Sequence, residues 1–129
     1  MVILYLILSV FIMIIAIALL SKRKTGVEVT AEAARDIVKD SQVTVLDVRT
    51  PKEYARGHIE GAKLIPVAEL SDRIGELYDL KTRQILIYCY IGNRSRKAAA
   101  ILQKNGFLNV MQLHGGITKW VRTGNKIVI

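Results

Sequence analysis

The chain of 129 residues holds one cysteine, two histidines and one tryptophan, and aromatic side chains make up only 6% of it. A single cysteine, Cys89, excludes an intramolecular disulfide and any two-thiol redox pair, which suits a reducing compartment. One Cys and two widely separated His do not form a metal site of recognisable spacing, so neither a metal nor any other cofactor is expected. The net charge is +8. With few aromatics and no nucleic-acid motif, that charge is read as a basic cluster plus solvated Lys and Arg on helix faces, and no nucleic-acid partner is expected. Charge of either sign is also missing from the whole amino-terminal stretch: nothing ionisable of the Asp, Glu, Lys or Arg type precedes Lys22.

What fills that stretch is an apolar run from Val2 to Leu20, interrupted only by Tyr5 and Ser9. It raises the apolar fraction to 51% and the mean hydropathy to +0.30. As a helix rising ~1.5 Å per residue it spans about 28 Å, close to the thickness of a hydrocarbon core. A cleavable signal peptide differs from it in having a basic leading segment and small residues at its end, whereas this run closes on Ala18-Leu19-Leu20-Ser21. A helix apolar on all faces would need a larger protein around it to be a core helix. The expected organisation is a transmembrane helix over residues 1–21, a basic juxtamembrane linker over 22–26 and a soluble domain over 27–129. Lys22, Arg23 and Lys24 place that end of a single-pass span on the cytoplasmic side of the cell membrane, and they also suit contact with anionic headgroups.

The soluble part alternates strand-like and helix-like segments. Strands are expected at Val27–Val29, Val43–Val48, Lys63–Pro66, Gln84–Tyr88 and Asn109–Leu113, with a terminal one at Ile127–Ile129. Thr30 caps an expected helix over Ala31–Lys39 with Ala34, Ile37 and Val38 on one face. Leu70, Ile74, Leu77 and Tyr78 recur at helical spacing, so one helix is expected to bury that stripe. Ser95–Asn105 reads as a helix with Ala98, Ile101 and Leu102 inward, ended by Gly106. Gly115-Gly116 turns into a short helix carrying Trp120. Such alternation with short links argues for an α/β sandwich around a mainly parallel sheet.

Cys89 follows the Gln84–Tyr88 segment directly and precedes the Ser95 helix. Sites in open α/β sheets form outside the carboxyl ends of strands, where the loop Cys89-Tyr90-Ile91-Gly92-Asn93-Arg94-Ser95 falls. Gly92 and Asn93 tolerate unusual backbone angles and let successive N–H groups turn inward around the sulfur. Such a nest at a helix start favours thiolate over thiol, and Arg94 and Arg96 add positive charge. Taken by position rather than by type, Cys89 is a candidate nucleophile.

The loop resembles the active-site loop of the rhodanese homology domain, which runs Cys-x-x-Gly-x-Arg or Thr. Asp47-Val48-Arg49-x-Pro51-x-Glu53-Tyr54-x-x-Gly57-His58-Ile59-x-Gly61-Ala62, followed by Ile65-Pro66, is similar to the upstream signature of that family. Leu113-x-Gly115-Gly116-Ile117-x-x-Trp120 is similar to its carboxyl-terminal signature. The resemblance covers about Val27 to Asn125. It implies a rhodanese-like α/β sandwich with a five-stranded mainly parallel sheet, preceded here by one transmembrane helix. It further implies transfer of sulfane sulfur from thiosulfate or a persulfide to a thiol or cyanide, through a persulfide on Cys89. Tyr90, Ile91, Gly92, Asn93, Arg94 and Ser95 would form the substrate- and persulfide-binding loop. The expected partners are therefore a small sulfur donor and acceptor or a protein thiol, plus the membrane through residues 2–20; oligomeric state is left open. Many active members carry Arg directly after the Cys where this chain has Tyr90, which favours a persulfide or apolar partner over thiosulfate.

Other conspicuous residues read more simply as structure. Asp47 is expected to satisfy loop N–H groups at a strand end, Arg49 to pair locally with Glu53, His58 to order a turn, His114 to lie in a turn near the sheet edge, and Trp120 to be core. Cysteine phosphatases close their loop with Cys-x5-Arg around a tetrahedral oxyanion; four residues separate Cys89 from Arg94, a cradle sized for sulfur. The remaining alternative is a membrane-tethered binding or regulatory module without turnover.

Overall fold

The computed structural model describes residues 1–20 and 26–129. The expected linker at 22–26, with Lys22, Arg23 and Lys24, lies outside the described residues except for Gly26. Helix α1 runs Val2–Leu20, and its described side chains are all exposed. It is the one described helix long and apolar enough to cross a membrane.

The domain is built in the order β1 (Val27–Val29), α2 (Ala31–Ile37), β2 (Val43–Asp47), α3 (Pro51–Ala55), β3 (Lys63–Leu64) and α4 (Val67–Leu70). A 3-10 helix follows at Ile74–Leu80, then β4 (Gln84–Tyr88), α5 (Asn93–Lys104), β5 (Asn109–Leu113) and α6 (Gly116–Arg122). The five strands form one sheet in the order β1-β5-β4-β2-β3, and every neighbouring pair is parallel. All strand carboxyl ends therefore lie on one side of the domain.

Both faces of the central strands are buried, which is why they read as continuous apolar runs. Side chains alternate between the faces with period two. Leu46, Ile85, Ile87 and Cys89 pack against Leu70, Leu77, Ala98 and Leu102 on one face. Val45, Leu86 and Tyr88 pack against Ala34, Ile59, Ile117 and Trp120 on the other. Each fully buried Leu or Ile contributes roughly 1.5–3 kcal/mol of transfer free energy.

Local chemistry sets the boundaries. The Thr30 hydroxyl accepts from the Ala33 amide and starts α2, which stops at Ile37 rather than Lys39. Gly106, at φ 88°, follows α5. The expected single helix through Leu70 and Tyr78 is two shorter pieces. Leu70, Ile74 and Leu77 face inward as expected, but Tyr78 is half exposed and carries the Lys81 ammonium 4.3 Å from its ring centroid. Ile127–Ile129 is not a strand. Only Val128 pairs, through an isolated antiparallel bridge with His58.

Asp47 and Arg49 form a buried ion pair at the end of β2, with the Arg49 Nη2 at 2.7 Å from Asp47 Oδ2. This corrects the expected Arg49–Glu53 pairing. Asp47 also accepts the Arg49 amide, as a strand-end carboxylate should. Burial pulls the Arg49 pKa down, yet the hydrogen bond and charge of Asp47 outweigh it and the net shift is upward. Arg49→Met should cost about 3–5 kcal/mol because it strands a buried carboxylate, and adding Asp47→Leu should recover part of that loss. Urea titration of the single and double variants measures both values.

Candidate active site

The alternation of β4 sends Tyr88 to one face and Cys89 to the other, at the strand's carboxyl end. Cys89 is 1% exposed, beneath the loop that follows it. Gly92 adopts φ 120°, a conformation suited to glycine, and caps α5. That turn aims backbone amides at the sulfur: Cys89 Sγ accepts from Gly92 N–H at 3.0 Å and from Ser95 N–H at 3.4 Å. Asn93 and Arg94 open α5, so their amides have no acceptor within the helix. The Ser95 hydroxyl, fully buried, donates to Gly92 O at 2.9 Å and braces the turn. Tyr90 and Ile91 form an apolar lip, 54% and 57% exposed.

The loop is fastened from the next strand's connection. Ile117 N–H donates to Cys89 O at 2.9 Å. The Thr118 amide and hydroxyl donate to Tyr90 O at 3.2 and 2.9 Å. Gly116, at φ 62°, makes this approach possible, since a Cβ there would fall on the Cys89 and Tyr90 carbonyls. Gly116 and Thr118 thus position the cysteine from more than twenty residues away in sequence.

Arg94 does not turn its guanidinium to the sulfur. It makes a two-pronged bridge to Glu53 of α3, at 2.6 and 2.9 Å. Glu53 is fixed by the capping box that starts α3, where Thr50 and Glu53 exchange side-chain and backbone bonds with Pro51 in the first turn. The Thr50-Pro51-x-Glu53 pattern signals this helix, which at five residues is too short to show an apolar period. Hydrogen bonding to Arg94 holds the Glu53 pKa down at about 2, against an opposing effect of burial and with help from Thr50. The same bond raises Arg94 against an opposing effect of burial, and the charge of Glu53 adds to the rise. Arg96 is exposed on α5.

Below the loop, the Tyr88 hydroxyl accepts the Ile59 amide at 3.1 Å, and the Arg49 guanidinium lies 5.5 Å from the Tyr88 ring centroid while donating to Gly57 O. Burial, then the charge of Asp47, pushes the Tyr88 pKa far above its ordinary range, so the hydroxyl stays protonated. His58 orders its turn by donating from Nδ1 to Tyr54 O (3.0 Å) and stacking on the Tyr54 ring. His114 is exposed, 3.2 Å from Glu28. Trp120 is core, donating from Nε1 to Lys126 O. Among the described residues, no three His, Cys, Asp or Glu side chains group as metal ligands.

Beside the loop runs an open, largely apolar cleft of about 380 Å³. Tyr90, Ile117, Val121 and Ile127 supply its apolar wall, and Arg49, Glu53 and Arg56 its polar side. Cys89 itself does not line the cleft; Tyr90 is the wall the two share. The arrangement offers a buried sulfur at a strand end, backbone amides directed at it, and an apolar approach.

Glu53 is lowered relative to its unfolded value, so its bridge stabilises the fold above pH 4.5 and loses that contribution as pH falls from 4.5 toward 2. With its side chain 28% exposed, the contribution after solvent screening is about 1 kcal/mol. Glu53→Gln should remove that segment of the stability–pH curve while leaving the rest, as followed by urea unfolding between pH 7 and pH 3.

A family model described as the rhodanese-like domain matches residues 30–123. A protein named sulfurtransferase from Allochromatium vinosum is 37% identical over 102 residues, covering 78% of this chain and 94% of that protein. A tRNA uridine(34) hydroxylase from Buchnera aphidicola is 34% identical over 101 residues, but the match covers 75% of this chain and only 32% of the hydroxylase. Among solved structures, a rhodanese-related protein from Thermoplasma volcanium superposes with a TM-score of 0.68 at 30% identity, covering 79% of this chain and 97% of that one.

Proposed function

This chain belongs to the rhodanese-like family, and from that membership we propose that it is a membrane-anchored sulfurtransferase that carries sulfane sulfur as a persulfide on Cys89. The observation that carries the reading is the seat of Sγ, which accepts the Gly92 and Ser95 amides at the head of α5. Those donors are placed to hold negative charge that develops on the sulfur or on an atom attached to it.

In the first half-reaction the Cys89 thiolate attacks the outer sulfur of a donor, R–S–S⁻. The donor S–S bond breaks, RS⁻ leaves with the bonding pair, and a new S–S bond on Cys89 carries the negative charge. The outer sulfur extends into the turn, where the first-turn amides of Asn93 and Arg94 complete the ring of donors. In the second half-reaction an acceptor thiolate attacks that outer sulfur, and the Cys89 thiolate leaves. No net oxidation or reduction occurs over the cycle. Arg94, engaged with Glu53, holds the loop in shape rather than neutralising the sulfur directly.

The preferred donor is a persulfide, protein-borne or small, rather than thiosulfate. Thiosulfate brings a second, sulfonate-like charge to the loop mouth, and the mouth offers Tyr90 and Ile91 where a cation would serve it. The apolar cleft next to Tyr90 suits the body of a thiol-bearing partner. Helix α1 anchors the domain by a single span, with the domain on the cytoplasmic side.

Intact-mass measurement of the full chain in detergent, after exposure to a persulfide donor, should show the gain of one sulfur atom, lost on adding a thiol or cyanide and absent in Cys89→Ala. A chain that stays folded and gains no sulfur from any donor would shift the reading to a binding module. Tyr90→Arg should raise turnover with thiosulfate about tenfold, the worth of one charge-assisted hydrogen bond. Equal thiosulfate rates in both proteins would remove Tyr90 as the cause of donor preference.

A further inference from the structure

We propose that the amino-terminal end of the sheet is a lipid-facing surface that seats the domain on an anionic bilayer and turns Cys89 away from it. The proposal rests on reading α1 as a membrane span. Because all five strands run parallel, β1 starts at the same end of the domain as β4 and β5. Only residues 21–25 separate α1 from Gly26, and a chain that short reaches at most about 20 Å even when fully extended. This end of the domain is therefore held at the bilayer surface.

Its composition fits that location. Val27 and Leu108 are 67% and 70% exposed, and Tyr78 is 49% exposed. A cleft of about 320 Å³ opens between Gly26, Val27, Leu108 and Met111. Lys81 lies over the Tyr78 ring, and Arg83 and Lys104 are exposed on the adjoining turn and helix end. The two turns are joined, since Leu108 N–H donates to Lys81 O and the Asn109 side chain to Thr82 O. The exposed carboxylates near this end are Asp79 and Asp40; Glu28, next to Val27, faces His114, and Lys39 is matched by Asp36. Lys81, Arg83 and Lys104 thus outnumber the acids beside the exposed apolar side chains, and Lys22, Arg23 and Lys24 precede them in the chain. Basic groups around partly exposed apolar and aromatic side chains match an anionic headgroup layer.

Cys89 stands at the opposite end of β4, five residues beyond Gln84 and so about 16 Å away. The seating directs its mouth to the aqueous phase, so donors and acceptors of sulfur are water-soluble rather than dissolved in lipid.

The test uses the full chain in a Cys89→Ser background, with an environment-sensitive fluorophore on Leu108→Cys or on Ile91→Cys. The protein is reconstituted into vesicles of phosphatidylcholine with or without phosphatidylglycerol, some lipids carrying a quencher at headgroup depth. Quenching at position 108 should rise several-fold in the anionic vesicles. It should fall back by roughly fivefold on combining Lys81→Glu, Arg83→Glu and Lys104→Glu, while position 91 stays unquenched throughout. Matching thermal unfolding in detergent confirms that the charge-reversed variant is folded. Stronger quenching at 91 than at 108, or quenching at 108 indifferent to both lipid charge and charge reversal, overturns the surface alone. Release of the chain from vesicles by alkaline carbonate overturns the anchor and the proposal with it.

Discussion

The structure hangs on the buried pairing of Asp47 with Arg49. Two ions without water are tolerable only if their remaining bonding capacity is met, and here it is. The carboxylate takes up the Arg49 amide, and the guanidinium reaches across to Gly57 O and lies against the Tyr88 ring. The end of β2 is thereby tied to the turn at Gly57 and to the last residue of β4. Tyr88 then accepts the Ile59 amide, closing the circuit from the other side. With Tyr88 held from below, the next residue along the strand has one direction available, and it is the cysteine.

Above that foundation the loop is shaped by backbone rather than by side-chain charge. Its first two carbonyls are bonded by the start of α6, its turn is braced by Ser95, and its far end is moored to α3 through Arg94 and Glu53. Each fastening comes from a different strand connection. The sulfur is consequently placed by the convergence of three loops at the carboxyl ends of β2, β4 and β5. That is where an open parallel sheet gathers its functional groups.

The elements with strong patterning were legible from composition and period alone. The strands buried on both faces announced themselves as apolar runs, and Gly106 and Thr30 marked helix ends by conformational and capping chemistry. The loop around Cys89 stood out by its position after a strand. What escaped depended on contacts distant in sequence. Arg49 and Glu53 are four residues apart and of opposite charge, so a local pair was the economical reading; in the fold each finds a different partner, Asp47 and Arg94. Tyr78 continued a helical stripe that the break before Ile74 interrupts. Ile127–Ile129 has strand-like residues but no sheet edge to join, because Val128 meets a turn at His58 instead. The roles of Gly116 and Thr118 rest on a close approach to the β4 loop that no local pattern records.

The Cys89 side chain has a double membership. It packs with Leu46, Ile87 and Ala98 in a filled apolar cluster, and it is also the floor of the loop. A dense interior has no spare volume for another atom. The side of this sulfur with room is the loop side, under the segment that holds Tyr90 and Ile91. Any atom joined to that sulfur would leave the interior as it is and change only the contour of the exposed lip.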